Sequence, residues 1–292
     1  MKVVVTGTGG RLGAALARHL RARHRVVAYD RRAMDLREPE QIADHLEGLD
    51  FEVLINCAAL TSLDYCEEHA AEATSVNAVA PAHMARLCAA RGARMIQLST
   101  NYVYHGTRAG LRKETDAAGP PGIYARTKHE GEQRVLAESS GHIVARTAWV
   151  FGPDRESFVD HIIARAQKSD DCAAVCDTWS SASYSLDMAE QLERLMLNPA
   201  ADGLYNLSND GACSWLELGQ AALDITAELG WRLRCRSLRS QPLAERKQFL
   251  APRPVHTAMD VSKLAAATGL RPRPWREALR DYLSTYYLRS EQ

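Results

Sequence analysis

Apolar and polar positions along the 292-residue chain follow two alternating rhythms. Short β-branched or apolar runs, beginning with Val3-Val4-Val5, give way to longer stretches with apolar residues every three or four positions. The runs predict strands from Lys2 and over Arg25–Tyr29, Phe51–Asn56, Arg94–Leu98 and His142–Arg146. The stretches between them predict helices to about Arg23, from Pro39, over 65–91 and over 123–138. Pro39 suits a first helical position, and Pro81 either kinks the third helical region or restarts it. Regular strand–helix alternation predicts an α/β fold with a doubly wound parallel sheet. From Gly152 the rhythm changes. Helices are expected near 156–168, 186–197 and 214–229, with short strands at Ala173–Val175 and 204–206. Asp177–Ser185 and the Pro/Arg-rich stretch 236–257 read as loops, and two closing helices begin near Asp260 and Trp275.

The first strand runs into Thr6-Gly7-Thr8-Gly9-Gly10-Arg11-Leu12-Gly13 and then an alanine-rich helix. Strand, glycine-rich turn and helix are the context of a dinucleotide fingerprint, here spaced GxxGxxG. Gly7 permits the tight turn, Gly10 admits a pyrophosphate against the backbone, and Gly13 lets the helix pack on the strand. Arg11 and Leu12 open a helix whose free N–H groups would face phosphates. The division that follows is a Rossmann-like NAD(P)-binding domain over 1–150, with 186–206 returning to it, and a mainly substrate-binding domain over 151–292. Asp30 ends the second strand and favours NAD by bonding ribose hydroxyls. Arg31 and Arg32 favour NADP, and a charge-assisted phosphate contact tilts the reading toward NADPH. Asp35 and Leu36 lie just beyond. Cys57, Ala58 and Ala59 follow the third strand and are small enough to lie against a flat cofactor. Ser99, Thr100, Asn101 and Tyr102 stand at the end of the fourth strand, where open α/β sheets bind ligands. Tyr124 and Lys128 lie one turn apart on one helix face. An ammonium beside a phenol favours the phenolate and would tune the tyrosine for proton transfer to a carbonyl oxygen. Asn77, inside the 65–91 region, reads as a solvated helical residue.

Composition excludes more than it selects. Charged residues make up 25% and formal net charge is zero, so neither a nucleic acid nor an acidic membrane is an expected partner. No apolar run approaches the roughly 20 residues that span a bilayer. Seven cysteines, at 57, 66, 88, 172, 176, 213 and 235, contain no CxxC pair, which argues against a disulfide scaffold, structural zinc or any other metal centre. With a strand already begun at Lys2 no signal peptide is expected, and the default setting is cytoplasmic. The chain has 30 Arg and only 6 Lys, so a lysine at 128 is itself informative.

Together these segments resemble the extended short-chain dehydrogenase/reductases, and within them the dTDP-4-dehydrorhamnose reductase family. The resemblance rests on GTGGRLG at 7–13, NCAALTSLDYCE at 56–67, Asn77, STNYVY at 99–104, YxxxK at 124–128, RTAWVFG at 146–152 and, more weakly, RPVHTAMDVSKL at 253–264. It implies an NAD(P)H-dependent reduction of the 4-keto group of a nucleotide-activated 4-keto-6-deoxy sugar. Thr100 would polarise the carbonyl, Tyr124 protonate the alkoxide, and Lys128 lower the tyrosine pKa and bond the nicotinamide ribose. Sugar-contacting positions fall on Thr61, Leu63, Asn101, Tyr102 and Trp149, with Arg253 added from the weaker segment. The family usually has Asp at 101, and a Pro-Thr pair where this chain reads Ser181-Ala182-Ser183. Asn101 is therefore expected to face the sugar and to alter substrate choice. A second implied role is a non-catalytic NADP-binding subunit resembling the regulatory β-subunit of methionine adenosyltransferase. A third is an epimerase or dehydratase on the same scaffold, although dehydratases carry Asp-Glu where this chain has Asn101-Tyr102. A homodimer is compatible with all three.

Overall fold

The computed structural model describes residues 1–287. Six strands form one parallel sheet: β1 (Lys2–Thr6), β2 (Arg25–Tyr29), β3 (Val53–Asn56), β4 (Arg94–Thr100), β5 (Ile143–Thr147) and a sixth, Gly203–Asn206. Their order across the sheet is Gly203–Asn206, β5, β4, β3, β1, β2. Residues alternate strictly between its faces. Val3, Val5, Ile55, Ile96 and Ile143 pack with α1 (Arg11–Leu20) and with helix Ser185–Leu197. Val4, Leu54, Met95 and Val144 face the other way, onto α2 (Pro39–Leu46), and onto α5 (Ala80–Ala90) and α6 (Ile123–Glu138). Both faces are buried, which is why the strands read as apolar runs rather than alternations. The chain leaves β1 for β2 on one side and returns to β3 on the other. Strand order reverses there, and the C-terminal ends of β1 and β3 frame a crevice.

A third core gathers Phe151, Val159, Ile163, Leu218, Ala222 and Leu279 from the later segments. It contains helices Phe158–Lys168, Trp215–Glu228 and Trp275–Tyr282, the first two opened by capping boxes at Ser157 and Ser214.

Several boundaries differ from expectation. β3 starts at Val53 rather than Phe51, and the Asp177–Ser185 stretch holds two short strands, Trp179–Ser180 and Ser183–Tyr184. The long helical region is α3 (Leu63–Glu68), α4 (Ala70–Thr74), a π turn over Ser75–Val79 and then α5. The break falls at His69, and Pro81 sits in the first turn of α5, directly after the π turn, so the helix continues through it. β4 runs through Thr100, so Ser99 and Thr100 belong to the strand rather than to the turn after it. The 236–257 stretch is not all loop. Arg239–Gln241 pairs in parallel with Ala173–Val175, residues too polar to read as a strand.

Candidate active site

The cleft begins at the β1–α1 turn. Gly7 has φ +70°, and a Cβ there would meet the Ala58 nitrogen at 2.5 Å. A Cβ at Gly13 would strike the Gly7 carbonyl, so this glycine lets α1 pack on the turn itself rather than on the strand. Gly10 caps α1 with extended backbone and no side-chain bond, which leaves the helix N-terminus open to an anion. Beneath it, a buried polar ladder crosses three strands. Thr6 donates to Asn56 at 2.5 Å, and Asn56 donates to Gln97 at 2.8 Å.

A continuous cleft of about 800 Å³ opens above these strand ends. Gly7, Gly10, Arg11, Leu12, Asp30, Arg31, Asp35, Leu36, Cys57, Ala58 and Ala59 line one arm. Thr61, Leu63, Ser99, Thr100, Asn101, Tyr102, Tyr124, Lys128 and Trp149 line the other. Two sequence candidates lie elsewhere. Arg32 is exposed and outside the cleft wall, whereas Arg37 lines it. Arg37 grips Asp35 with two nitrogens, at 3.0 and 2.5 Å, and Arg31 lies 3.8 Å from the same carboxylate. Asp30 accepts the Arg32 and Ala33 N–H groups at 2.9 Å, closing the turn after β2. Arg253 lines a second, adjoining chamber of about 330 Å³, among Tyr102, Trp149, Phe158, Trp215 and Phe249. Arg11 donates to the carbonyls of Val150, Arg155 and Glu156, so its guanidinium ties α1 to the later lobe.

The catalytic candidates converge. Thr100 caps the short 3₁₀ turn after β4, accepting the Tyr102 N–H at 3.2 Å. Tyr124 stands edge-on to Tyr102, with ring centroids 6.3 Å apart. Lys128 is buried and donates to the Leu98 carbonyl at 2.6 Å. The expected tuning of the phenol is not what this geometry gives. Burial dominates and pushes Tyr124 up to about 12, with the Thr100 hydroxyl acting in the opposite sense. Burial also lowers Lys128 to about 8, against the pull of Glu132. A phenol so placed is protonated at neutral pH.

Asn101 lines the cleft, but its amide nitrogen is turned away from it. It is buried, and Nδ2 donates to Ser180 Oγ at 2.7 Å and Thr257 Oγ1 at 2.6 Å, with the Thr257 carbonyl at 3.2 Å. It joins the end of β4 to the later lobe. Trp149 is stacked on Trp215 at 3.8 Å and has φ +36°, a left-handed conformation that costs a non-glycine residue about 1–3 kcal/mol. Such strain is tolerated where the surroundings fix the ring in place.

Sequence reasoning missed several supporting groups. Asn77 is buried in the π turn, not solvated. Its amide accepts from the Leu60 N–H at 2.9 Å and donates to the Leu60 carbonyl at 3.0 Å and Thr127 Oγ1 at 3.2 Å. It thereby pins the loop after β3 to the helix that carries Tyr124. Glu67 accepts the Ile123 N–H at 2.7 Å at the start of that helix. Glu132 and Arg146 form a buried bidentate pair at 2.8 and 2.7 Å, with the guanidinium 4.6 Å above the Tyr104 ring. A polar residue amid an apolar run was the available signal for Asn77 and Arg146, whereas Glu67 and Glu132 lie in polar stretches that give none.

The family model described as RmlD substrate binding domain matches residues 1–288. The chain belongs to this family. The spore coat polysaccharide biosynthesis protein SpsK of Bacillus subtilis is 31% identical, across 97% of this chain and 96% of its own. A Mycobacterium tuberculosis dTDP-4-dehydrorhamnose reductase is 35% identical, across 97% and 92%. A Clostridium acetobutylicum dTDP-4-dehydrorhamnose reductase structure superposes with TM-score 0.90 at 26% identity, covering 97% of this chain and 99% of that one. A Bacillus anthracis reductase solved in complex with NADP has TM-score 0.89 at 24% identity, covering 98% and 99%, and shares the fold. Among the described residues no helix is long and apolar enough to cross a membrane, and no metal-binding cluster occurs.

Proposed function

We propose that the protein reduces the 4-keto group of a nucleotide-activated 4-keto-6-deoxy sugar, using NADPH in preference to NADH. The observation that carries this reading is the meeting of Thr100, Tyr124 and Lys128 in one cleft, between the glycine turn and an aromatic chamber. Curated relatives in the same family are named dTDP-4-dehydrorhamnose reductases.

The glycine turn fits a dinucleotide, since only backbone can occupy the space at Gly7 and the α1 N-terminus is uncapped. Gly10, Arg11 and Leu12 would face its diphosphate, and Cys57, Ala58 and Ala59 its nicotinamide half. Asp30, Arg31 and Arg37 would face the adenosine ribose and its 2′ substituent. The bound cofactor supplies hydride. Tyr124 supplies the proton from its phenol to the carbonyl oxygen. An alkoxide is far more basic than a phenolate, so transfer runs downhill even from a phenol raised to about 12. The Thr100 hydroxyl donates to the same oxygen, stabilising charge that grows only in the transition state. Lys128 holds positive charge one turn from the phenolate left behind. Thr61, Leu63, Tyr102 and Trp149 would contact the sugar. The aromatic chamber, with Arg253, would hold the nucleotide.

A purely regulatory role would leave the acid, the hydroxyl donor and the ammonium without use. Seven free cysteines fit a reducing, cytoplasmic setting. The test is to incubate the chain with NADPH or NADH and a panel of nucleotide 4-keto sugars, following absorbance at 340 nm and product formation. Cofactor consumption that depends on one of these sugars is expected. No consumption with any member of the panel, in a chain that binds NADPH, would overturn the reading.

A further inference from the structure

The chain between Gln241 and Pro254 forms a strap along one wall of the aromatic chamber. Leu243, Arg246, Phe249 and Arg253 project from it to line that chamber. Most of the strap is exposed, Leu250 to 61%. It is held at two points. At its start the Leu243 N–H donates to Asp177 at 2.8 Å. At its end everything converges on Asp64, in the first turn of α3. The Ala251 N–H donates to Asp64 Oδ1 at 2.8 Å, and the Arg253 guanidinium lies 3.4 Å from both carboxylate oxygens. That guanidinium also lies 3.6 Å over the Phe249 ring and donates to the Ala251 carbonyl at 2.8 Å. Removing Asp64 would therefore free the end of the strap and the one arginine whose head it orients. Three residues on, Glu67 caps the helix that carries Tyr124. One short helix thus touches the strap with one carboxylate and the catalytic helix with the other.

We propose that Asp64 is a positioning residue for substrate, a latch that holds the 243–253 strap closed over the nucleotide half and aims Arg253 at its diphosphate. The latch rests on the sugar-nucleotide reading for its ligand but not for its mechanics. Backbone N–H donation from Ala251, with Arg253 adding to it, keeps the Asp64 carboxyl below its ordinary range, so the latch is charged at neutral pH.

Two readouts separate the latch from a structural role of α3. In the first, the full chain is exposed to trypsin without ligand, and cleavage next to Arg246 and Lys247 is timed. Asp64→Ala should be cut several-fold faster than wild type. Asp64→Asn keeps an acceptor for the Ala251 N–H and should fall between. In the second, KM and kcat are measured with NADPH and the nucleotide sugar that the wild-type chain reduces. Asp64→Ala should raise KM about tenfold while kcat and the NADPH Kd stay within about twofold. Asp64→Asn should recover part of the KM. A fall in kcat and NADPH affinity at unchanged KM would place the effect in the catalytic helix and overturn the latch. If wild type reduces no nucleotide sugar, the functional reading fails by itself, and the tryptic rates judge the latch. Equal rates in the three proteins would then overturn it.

Discussion

Replacing Lys128 by Met should flatten the pH dependence of dinucleotide binding. In the wild-type chain the ammonium is buried, donates to the Leu98 carbonyl at 2.6 Å and titrates at about 8. Burial is the larger cause, and Glu132, one turn further along α6, opposes it. An anionic ligand in the cleft adds attraction for the charged form and moves the pKa back toward its ordinary value. The sign follows from linkage. The protonated lysine binds the ligand better, so above pH 8 binding must take up a proton and affinity falls as pH rises. The limiting slope is about tenfold per pH unit, and between about pH 7.5 and about pH 9.5 the Kd should weaken about 20-fold. Two neighbouring groups of the cleft do not titrate across that window. Burial pushes Cys57 and Tyr124 up to about 12, and a 2′-phosphate titrates near 6. Calorimetric titration of NADPH in two buffers of different ionisation enthalpy reads both Kd and proton uptake. Lys128→Met should bind more weakly at neutral pH and show no slope above pH 8. A flat wild-type Kd, or a slope that survives the substitution, would refute the reasoning.

Three further outcomes follow from the same contacts. The double variant Arg31→Ala/Arg37→Ala should lose about 10–100-fold in NADPH affinity and little in NADH affinity, while Arg32→Ala leaves both unchanged; fluorescence titrations decide, and equal losses for the two cofactors would remove the arginines from 2′-phosphate recognition. Asn101→Asp trades a buried donor for a charge facing the Thr257 carbonyl at 3.2 Å, and should cost about 1–3 kcal/mol near neutral pH. Burial raises the introduced carboxyl's folded pKa, so the deficit is full above that value and fades as pH falls toward 4, where the protonated acid can donate again; denaturant melts at several pH values check the trend. Arg146→Ala should cost about 3–5 kcal/mol in the same melts, because the buried Glu132 carboxylate loses its bidentate partner and keeps only His129, at 3.0 Å.

Much of the fold was legible because both faces of the sheet are covered. Apolar runs such as Val3-Val4-Val5 and Val53–Ile55 have no polar face to confuse the period, and Gly7 and Gly13 mark contacts that only backbone can make. The cleft walls were legible for the same reason, since parallel strands deliver their C-terminal residues to one edge. Long-range polar contacts left no trace in local pattern. Arg37 reaches the cleft because the chain turns after Asp35, ahead of α2, with the Glu38 N–H donating to the Asp35 carbonyl at 3.0 Å. Asn77 meets Leu60 and Thr127, and Asn101 meets Ser180 and Thr257, across sequence gaps that no local spacing reports. The phenol's tuning was misjudged because spacing gives the Tyr124–Lys128 proximity but not the depth of burial, and burial is the larger effect on both groups.

Tyr124→Phe tests proton delivery most directly. NADPH oxidation is followed in a single turnover with dTDP-4-dehydrorhamnose, or with the nucleotide 4-keto sugar the wild type prefers, and the NADPH Kd is measured in parallel. Loss of the acid should slow the chemical step about 10²–10⁴-fold while the Kd stays within about twofold, because the ring still fills its place against Tyr102. Turnover within a few-fold of wild type would contradict the assignment of Tyr124 as the acid.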